Sequence, residues 1–89
     1  IGFTERGHAI DMVKEGRTEV SGNIPVNTTG GLKARGHPTG ASGVAQIQDI
    51  YQQLVGNAPS ELQVEGAQIG LTQNIGGFGN NVCVGLFGV

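Results

Sequence analysis

His37 is the side chain in this sequence best placed by its neighbours to do chemistry. It sits in Gly36-His37-Pro38-Thr39-Gly40-Ala41-Ser42-Gly43, immediately before a helical pattern and among glycines that let another group approach the backbone closely. Pro38 and the glycines restrict the direction of the imidazole. A neutral histidine can donate a hydrogen bond to a thioester oxygen or accept a proton from a thiol near neutral pH. A loop histidine can also simply be solvated, and the residues around it do not choose between these roles.

A second glycine-rich run, Asn74-Ile75-Gly76-Gly77-Phe78-Gly79-Asn80-Asn81, has the density of a phosphate cradle. A dinucleotide fingerprint needs a strand before it and a helix after it, with a third glycine. Here a strand pattern follows and that glycine is absent. A tight turn that aims backbone N–H groups into a site, or that only joins two strands, fits the residues equally well. The lone Cys83 lies in an apolar run and reads as a small buried hydrophobe. His8 reads as solvated, and Asn27-Thr28-Thr29 as a chance match to a glycosylation pattern. Lys33 and Arg35, beside the histidine loop, are either solvated or available to an anionic ligand such as the phosphates of a nucleotide-tailed thioester carrier.

These groups need elements to hold them. Ala9, Ile10, Met12 and Val13 form a weak helical pattern within Thr4 to Glu15, closed by Gly16. Ile24-Pro25-Val26 reads as an extended segment, because its proline cannot donate to a central ladder. Asn27 to Gly43 reads as a long structured loop. From Ala41 to Val55, Val44, Ile47, Tyr51 and Leu54 recur at spacings of three, four and three, which predicts an amphipathic helix stopped by Gly56-Asn57-Ala58-Pro59. Strands are expected near 67–72 and 82–88, joined by the turn from Asn74 to Asn81. The second is apolar enough to be covered on both faces.

Composition narrows the classes further. Eighty-nine residues make one small domain of marginal independent stability. One cysteine excludes an internal disulfide and a Cys-rich metal site, so no metal is expected. A net charge of −2 with five unclustered Lys and Arg gives no footprint for nucleic acid. No apolar run approaches the ~20 residues that span a bilayer. A cytoplasmic chain is expected, with no membrane partner. The 17 glycines suit a ligand site better than a plain scaffold. The opening on Ile1 in mid-pattern suggests a fragment of something longer.

The run Val26-Asn27-Thr28-Thr29-Gly30-Gly31-Leu32-Lys33-Ala34-Arg35-Gly36-His37-Pro38-Thr39-Gly40-Ala41-Ser42-Gly43 resembles the C-terminal histidine motif of thiolases, in the form typical of the archaeal and sterol-carrier-protein-type branch. Leu71-Thr72-Gln73-Asn74-Ile75-Gly76-Gly77-Phe78-Gly79 is similar to the glycine turn that follows it in the same order. The resemblance covers essentially the whole chain. It implies an α/β fold, a partial thiolase-like C-terminal domain over residues 1–89 with a mixed sheet and packed helices, the N-terminal thiolase domain being absent.

By the same resemblance, the chemistry is acyl transfer on coenzyme A thioesters in lipid metabolism, making or breaking a carbon–carbon bond. His37 would activate a nucleophilic cysteine and help form an oxyanion hole, and backbone N–H groups around Gly76 and Gly77 would contribute to a second. Gly36, Ser42, Gln73 and Asn74 would line the acyl-CoA site, with Ser42 approaching the pantetheine arm. No permanently bound cofactor is implied; the coenzyme A thioester is the substrate. Implied partners are further copies of the full-length protein, as a homo-oligomer, and a small OB-fold, zinc-ribbon protein.

Two departures stand out. The nucleophilic cysteine is missing, and Cys83 matches neither family cysteine. The acid/base position in the glycine turn, a cysteine in one branch and a histidine in the other, is Gln73, whose amide cannot take a proton in the useful range. The isolated chain is therefore expected to be inactive. A degenerate thiolase-fold module that binds acyl-CoA or a partner protein, a thiolase-like retro-aldolase subunit, and a small nucleotide-binding domain are the alternatives.

Overall fold

A computed structural model describes residues 1–89 and contains three helices followed by one β-hairpin. Helix α1 spans Ala9–Lys14 and buries Met12. It is shorter than the expected Thr4 to Glu15, because Gly7 takes φ +91°, a left-handed conformation that a right-handed helix cannot include. His8 precedes the helix, exposed, with Nδ1 3.0 Å from Asp11 Oδ2.

Helix α2, Gly31–Arg35, lies inside the segment expected to be loop. Leu32, Lys33, Ala34 and Arg35 are all good helix formers, and the run ends at Gly36, short of Pro38. Helix α3 spans Ser42–Val55 and ends at Gly56, as expected from its pattern. Its orientation differs from the expectation. Val44, Ile47 and Tyr51 stay exposed, whereas Ser42 and Gln53 are buried. Leu54 and Ile50 are half-buried, Ile50 against Gly70, but Val44, Ile47 and Tyr51 of the apolar stripe face outward.

Strands β1, Ile69–Gly76, and β2, Asn81–Gly88, form a two-stranded antiparallel sheet. The register runs from Ile69 opposite Gly88 to Gly76 opposite Asn81. The mixed sheet expected from the resemblance is thus represented in this chain by one antiparallel hairpin, within the expected α/β class. Pairing of Asn74 with Cys83 and of Ile75 with Val82 carries β1 past the expected end at 72, so Gln73 and Asn74 are strand residues rather than turn residues. No helix is long and apolar enough to cross a membrane.

Helix α3 lies against β1, and β2 projects beyond it. That placement corrects the expectation that β2 is covered on both faces: Val82, Val84 and Leu86 are exposed, and so is Cys83. Side chains alternate across a sheet. Gly70 abuts Ile50 and Asn74 abuts Gly43, so the even-numbered residues of β1 face α3. Ile69, Leu71, Gln73 and Ile75, with their partners Val82, Val84 and Leu86, form the opposite, largely apolar face. Met12 is the one large apolar side chain that is buried. The accessible surface is 6546 Å², against about 4,900 Å² for a compact monomer of this mass.

Candidate active site

The site begins where the chain enters α3. Pro38 follows His37 and biases it toward extended backbone, so the imidazole stands at the end of an arm rather than within a helix. The carbonyl of Pro38 accepts hydrogen bonds from the N–H groups of Ala41 and Ser42, at 3.0 and 3.1 Å, which folds the arm back onto the start of α3. This return brings His37 Nδ1 to 2.7 Å from Ser42 Oγ. Ser42 is only 4% exposed, and its Oγ also lies 3.4 Å from the Pro38 carbonyl oxygen. His37 itself is exposed. Nδ1 is occupied by Ser42, which leaves Nε2 as the ring nitrogen for chemistry.

The arm is pinned at two points before His37 to one carboxylate of α3. Arg35 Nη1 donates to Asp49 Oδ2, and Thr29 Oγ1 donates to the same oxygen at 3.2 Å. Arg35 is therefore paired inside the chain instead of standing ready for an anionic ligand. Lys33 stays exposed. Sequence reasoning missed Asp49 and Thr29. Opposite charges at Arg35 and Asp49 were visible, but no local spacing rule joins a loop to the middle of the next helix.

Strand β1 supplies the other wall. Gln46 Nε2, one turn beyond Ser42, donates to the Gln73 carbonyl oxygen at 3.1 Å, while Gln46 Oε1 is buried without a partner. The Asn74 side-chain amide lies against Gly43. Of the expected site residues, the structure brings His37 and Ser42 into contact and sets the Asn74 amide against Gly43, the residue after Ser42. Gly36 forms the exposed approach to His37 with φ +83°. Gln73 contributes its carbonyl to the α3 contact, but strand alternation places its side chain on the opposite sheet face. Gly76 and Gly77 lie at the exposed end of the hairpin, where Gly77 takes φ +56°. Because β2 follows this turn directly, the helix that dinucleotide binding requires is absent.

A concavity of about 480 Å³ lies elsewhere and is lined by Glu19, Glu61 and Glu65 with Val20, Ser21 and Gln63. Its three carboxylates repel an anionic carrier. His37 stands apart from this concavity, on open surface.

Comparison with known proteins gives the family. The family profile described as "Thiolase C-terminal domain-like" matches residues 1–89. The chain is 51% identical over 87 residues to an acetyl-CoA acetyltransferase of Methanothermobacter thermautotrophicus, a match covering 98% of this chain and 22% of that protein. An acetyl-CoA acetyltransferase of Methanocaldococcus jannaschii is 36% identical over 92 residues, covering 94% and 22%. Sterol carrier protein 2 of Homo sapiens is 37% identical over 87 residues, covering 98% and 16%. The chain therefore spans about a fifth of the length of the archaeal relatives and less of the human one.

Proposed function

The chain belongs to the thiolase C-terminal domain-like family, and on that premise we propose that it is the C-terminal portion of a thiolase-like acyl-CoA C-acyltransferase. The observation that carries the reading is the His37 arm, returned onto α3 by Pro38 and held through Nδ1 by Ser42. In this reading Nε2 takes the proton of a cysteine thiol carried elsewhere in the protein. The thiolate adds to the thioester carbonyl, the carbon–sulfur bond to coenzyme A breaks, and the departing thiolate takes the proton back from the imidazolium. In the second half the α-carbon of another thioester loses its proton to a base carried elsewhere and bonds to the acyl carbon as the bond to the cysteine sulfur breaks. Thiolysis runs these steps in reverse, the carbon–carbon bond breaking when the cysteine attacks the 3-oxo carbon and coenzyme A then taking the acyl group from the cysteine. The Asn74 amide, beside Gly43, is a further hydrogen-bond donor near the acyl group.

The same reading makes the isolated chain inactive. Its surface exceeds that of a compact protein of its mass by about a third. Two apolar faces, the α3 stripe and the outer face of the hairpin, stand exposed. The rest of the enzyme would cover them and supply the nucleophile. Thiolysis of a 3-oxoacyl-CoA by the whole protein, with none by the purified 89 residues, is the expected result. Turnover by the 89 residues alone contradicts it.

Gln73 favours a second reading, in which the fold binds acyl-CoA or a partner without Claisen chemistry, or serves a retro-aldolase. Its amide cannot exchange an α-proton. Binding of acyl-CoA by the whole protein without either thiolysis or condensation would select that alternative.

A further inference from the structure

Ser42 Oγ stands 2.7 Å from His37 Nδ1 and 3.4 Å from the Pro38 carbonyl oxygen. The first distance is a short, strong hydrogen bond, and the second lies at the limit of one. The Pro38 carbonyl already accepts two backbone N–H groups, from Ala41 and Ser42, so it loses little when the hydroxyl turns away. A hydroxyl carries one donor and two acceptor sites and rotates to suit its partner.

We propose that Ser42 is the positioning residue of His37, a hydroxyl rotor that keeps the imidazole in place while permitting either tautomer. In one arrangement His37 Nδ1–H donates to Ser42 Oγ, the hydroxyl donates to Pro38, and Nε2 carries the lone pair that accepts a thiol proton. In the other the hydroxyl donates to Nδ1, and Nε2–H donates to a thioester oxygen. The 2.7 Å contact is kept in both, and only the 3.4 Å contact is exchanged. A carboxylate or backbone carbonyl at this position would hold Nδ1 permanently as the donor and leave Nε2 with one role. Burial of Ser42 to 4% exposure keeps water from competing for Nδ1 and turns the hydroxyl inward, away from an arriving pantetheine arm.

This inference rests on the role of His37 proposed above, and the test separates the two. In the enzyme that carries this chain, Ser42→Ala should lower kcat for thiolysis about 10- to 100-fold, the range for loss of one buried hydrogen bond, with KM for the acyl-CoA unchanged. Ser42→Thr, which keeps a hydroxyl, should recover most of that loss. A raised KM with unchanged kcat, an undiminished Ser42→Ala enzyme, or a threonine variant no better than alanine overturns the proposal. If the alanine variant does not fold, crystal structures of the unsubstituted enzyme with and without acetyl-CoA decide. Oγ on His37 Nδ1 in both supports it, and Oγ turned onto the ligand overturns it. An unsubstituted enzyme without thiolysis activity removes the functional reading, while the crystal structures still test the Ser42–His37 contact.

Discussion

Gly43 and Asn74 occupy neighbouring space so tightly that a Cβ on Gly43 would stand 2.6 Å from Asn74 Nδ2. The missing side chain lets β1 bring an amide beside the first turn of α3, next to the residue that holds His37. Gly43→Ala should therefore displace the Asn74 amide. The obstruction is the end of a flexible side chain, and alanine also favours the helix by about 1 kcal/mol. Thermal stability should stay within ~1 kcal/mol of the original while kcat falls. Parallel measurement of kcat and unfolding temperature in the whole protein checks this split.

Gly70 makes the complementary contact, and there the outcome should reverse. A Cβ at Gly70 would lie 2.5 Å from Ile50 Cγ2 and 3.0 Å from Cδ1. Ile50 is β-branched and stiff in a helix, so it cannot swing aside cheaply. Gly70→Ala should destabilise by about 1–3 kcal/mol through overpacking, read as a lower urea midpoint. An unchanged midpoint would mean that α3 and β1 are not in this close contact.

Asp49 should matter through the mobility of the His37 arm. Its pair with Arg35 is partly exposed, with the side chains 28% and 33% accessible, so the pair alone adds little stability. It nonetheless restrains the chain at two points leading into His37, through Thr29 and Arg35. Asp49→Ala should speed tryptic cleavage after Lys33 and Arg35 with little change in global stability. Equal cleavage rates in the two proteins would show that the arm is held by other contacts.

Gln53 anchors the far end of α3. Nε2 donates to Thr28 Oγ1 at 3.2 Å and to the Leu62 carbonyl at 2.8 Å, while Oε1 accepts from Val64 N–H at 2.8 Å and from Gln63 Nε2 at 3.2 Å. Gln53→Ala strands several of these partners and should cost roughly 2–3 kcal/mol. Gln53→Glu should also destabilise, because a carboxylate cannot donate to the Leu62 carbonyl. Urea unfolding of both variants tests whether the network needs the amide or only an acceptor.

The features legible in the sequence were those set by local chemistry. His37 before a helix, the boundaries of α3, and a hairpin closed by the Gly76-Gly77 turn all follow from residue types and spacing. What escaped depends on what each element packs against. The Val44, Ile47 and Tyr51 stripe identifies α3 as a helix but does not say that its other side, with Gln46 and Gln53, meets the rest of this chain. The apolar character of β2 suits burial on both faces, yet this chain supplies only α3, which lies over β1. Asn74 read as turn because asparagine and glycine favour turns, and cross-strand pairing with Cys83 made it strand. Helix α2 escaped because its five residues are too few for periodicity to register.

The central claim is that His37 performs acid/base chemistry on a thioester. The direct measurement is kcat/KM for thiolysis of a 3-oxoacyl-CoA by the whole enzyme and by its His37→Ala variant, with folding of both verified by circular dichroism. Loss of a positioned general acid/base should lower the value about 10²- to 10⁴-fold. A folded His37→Ala enzyme with near-original kcat/KM would contradict the account.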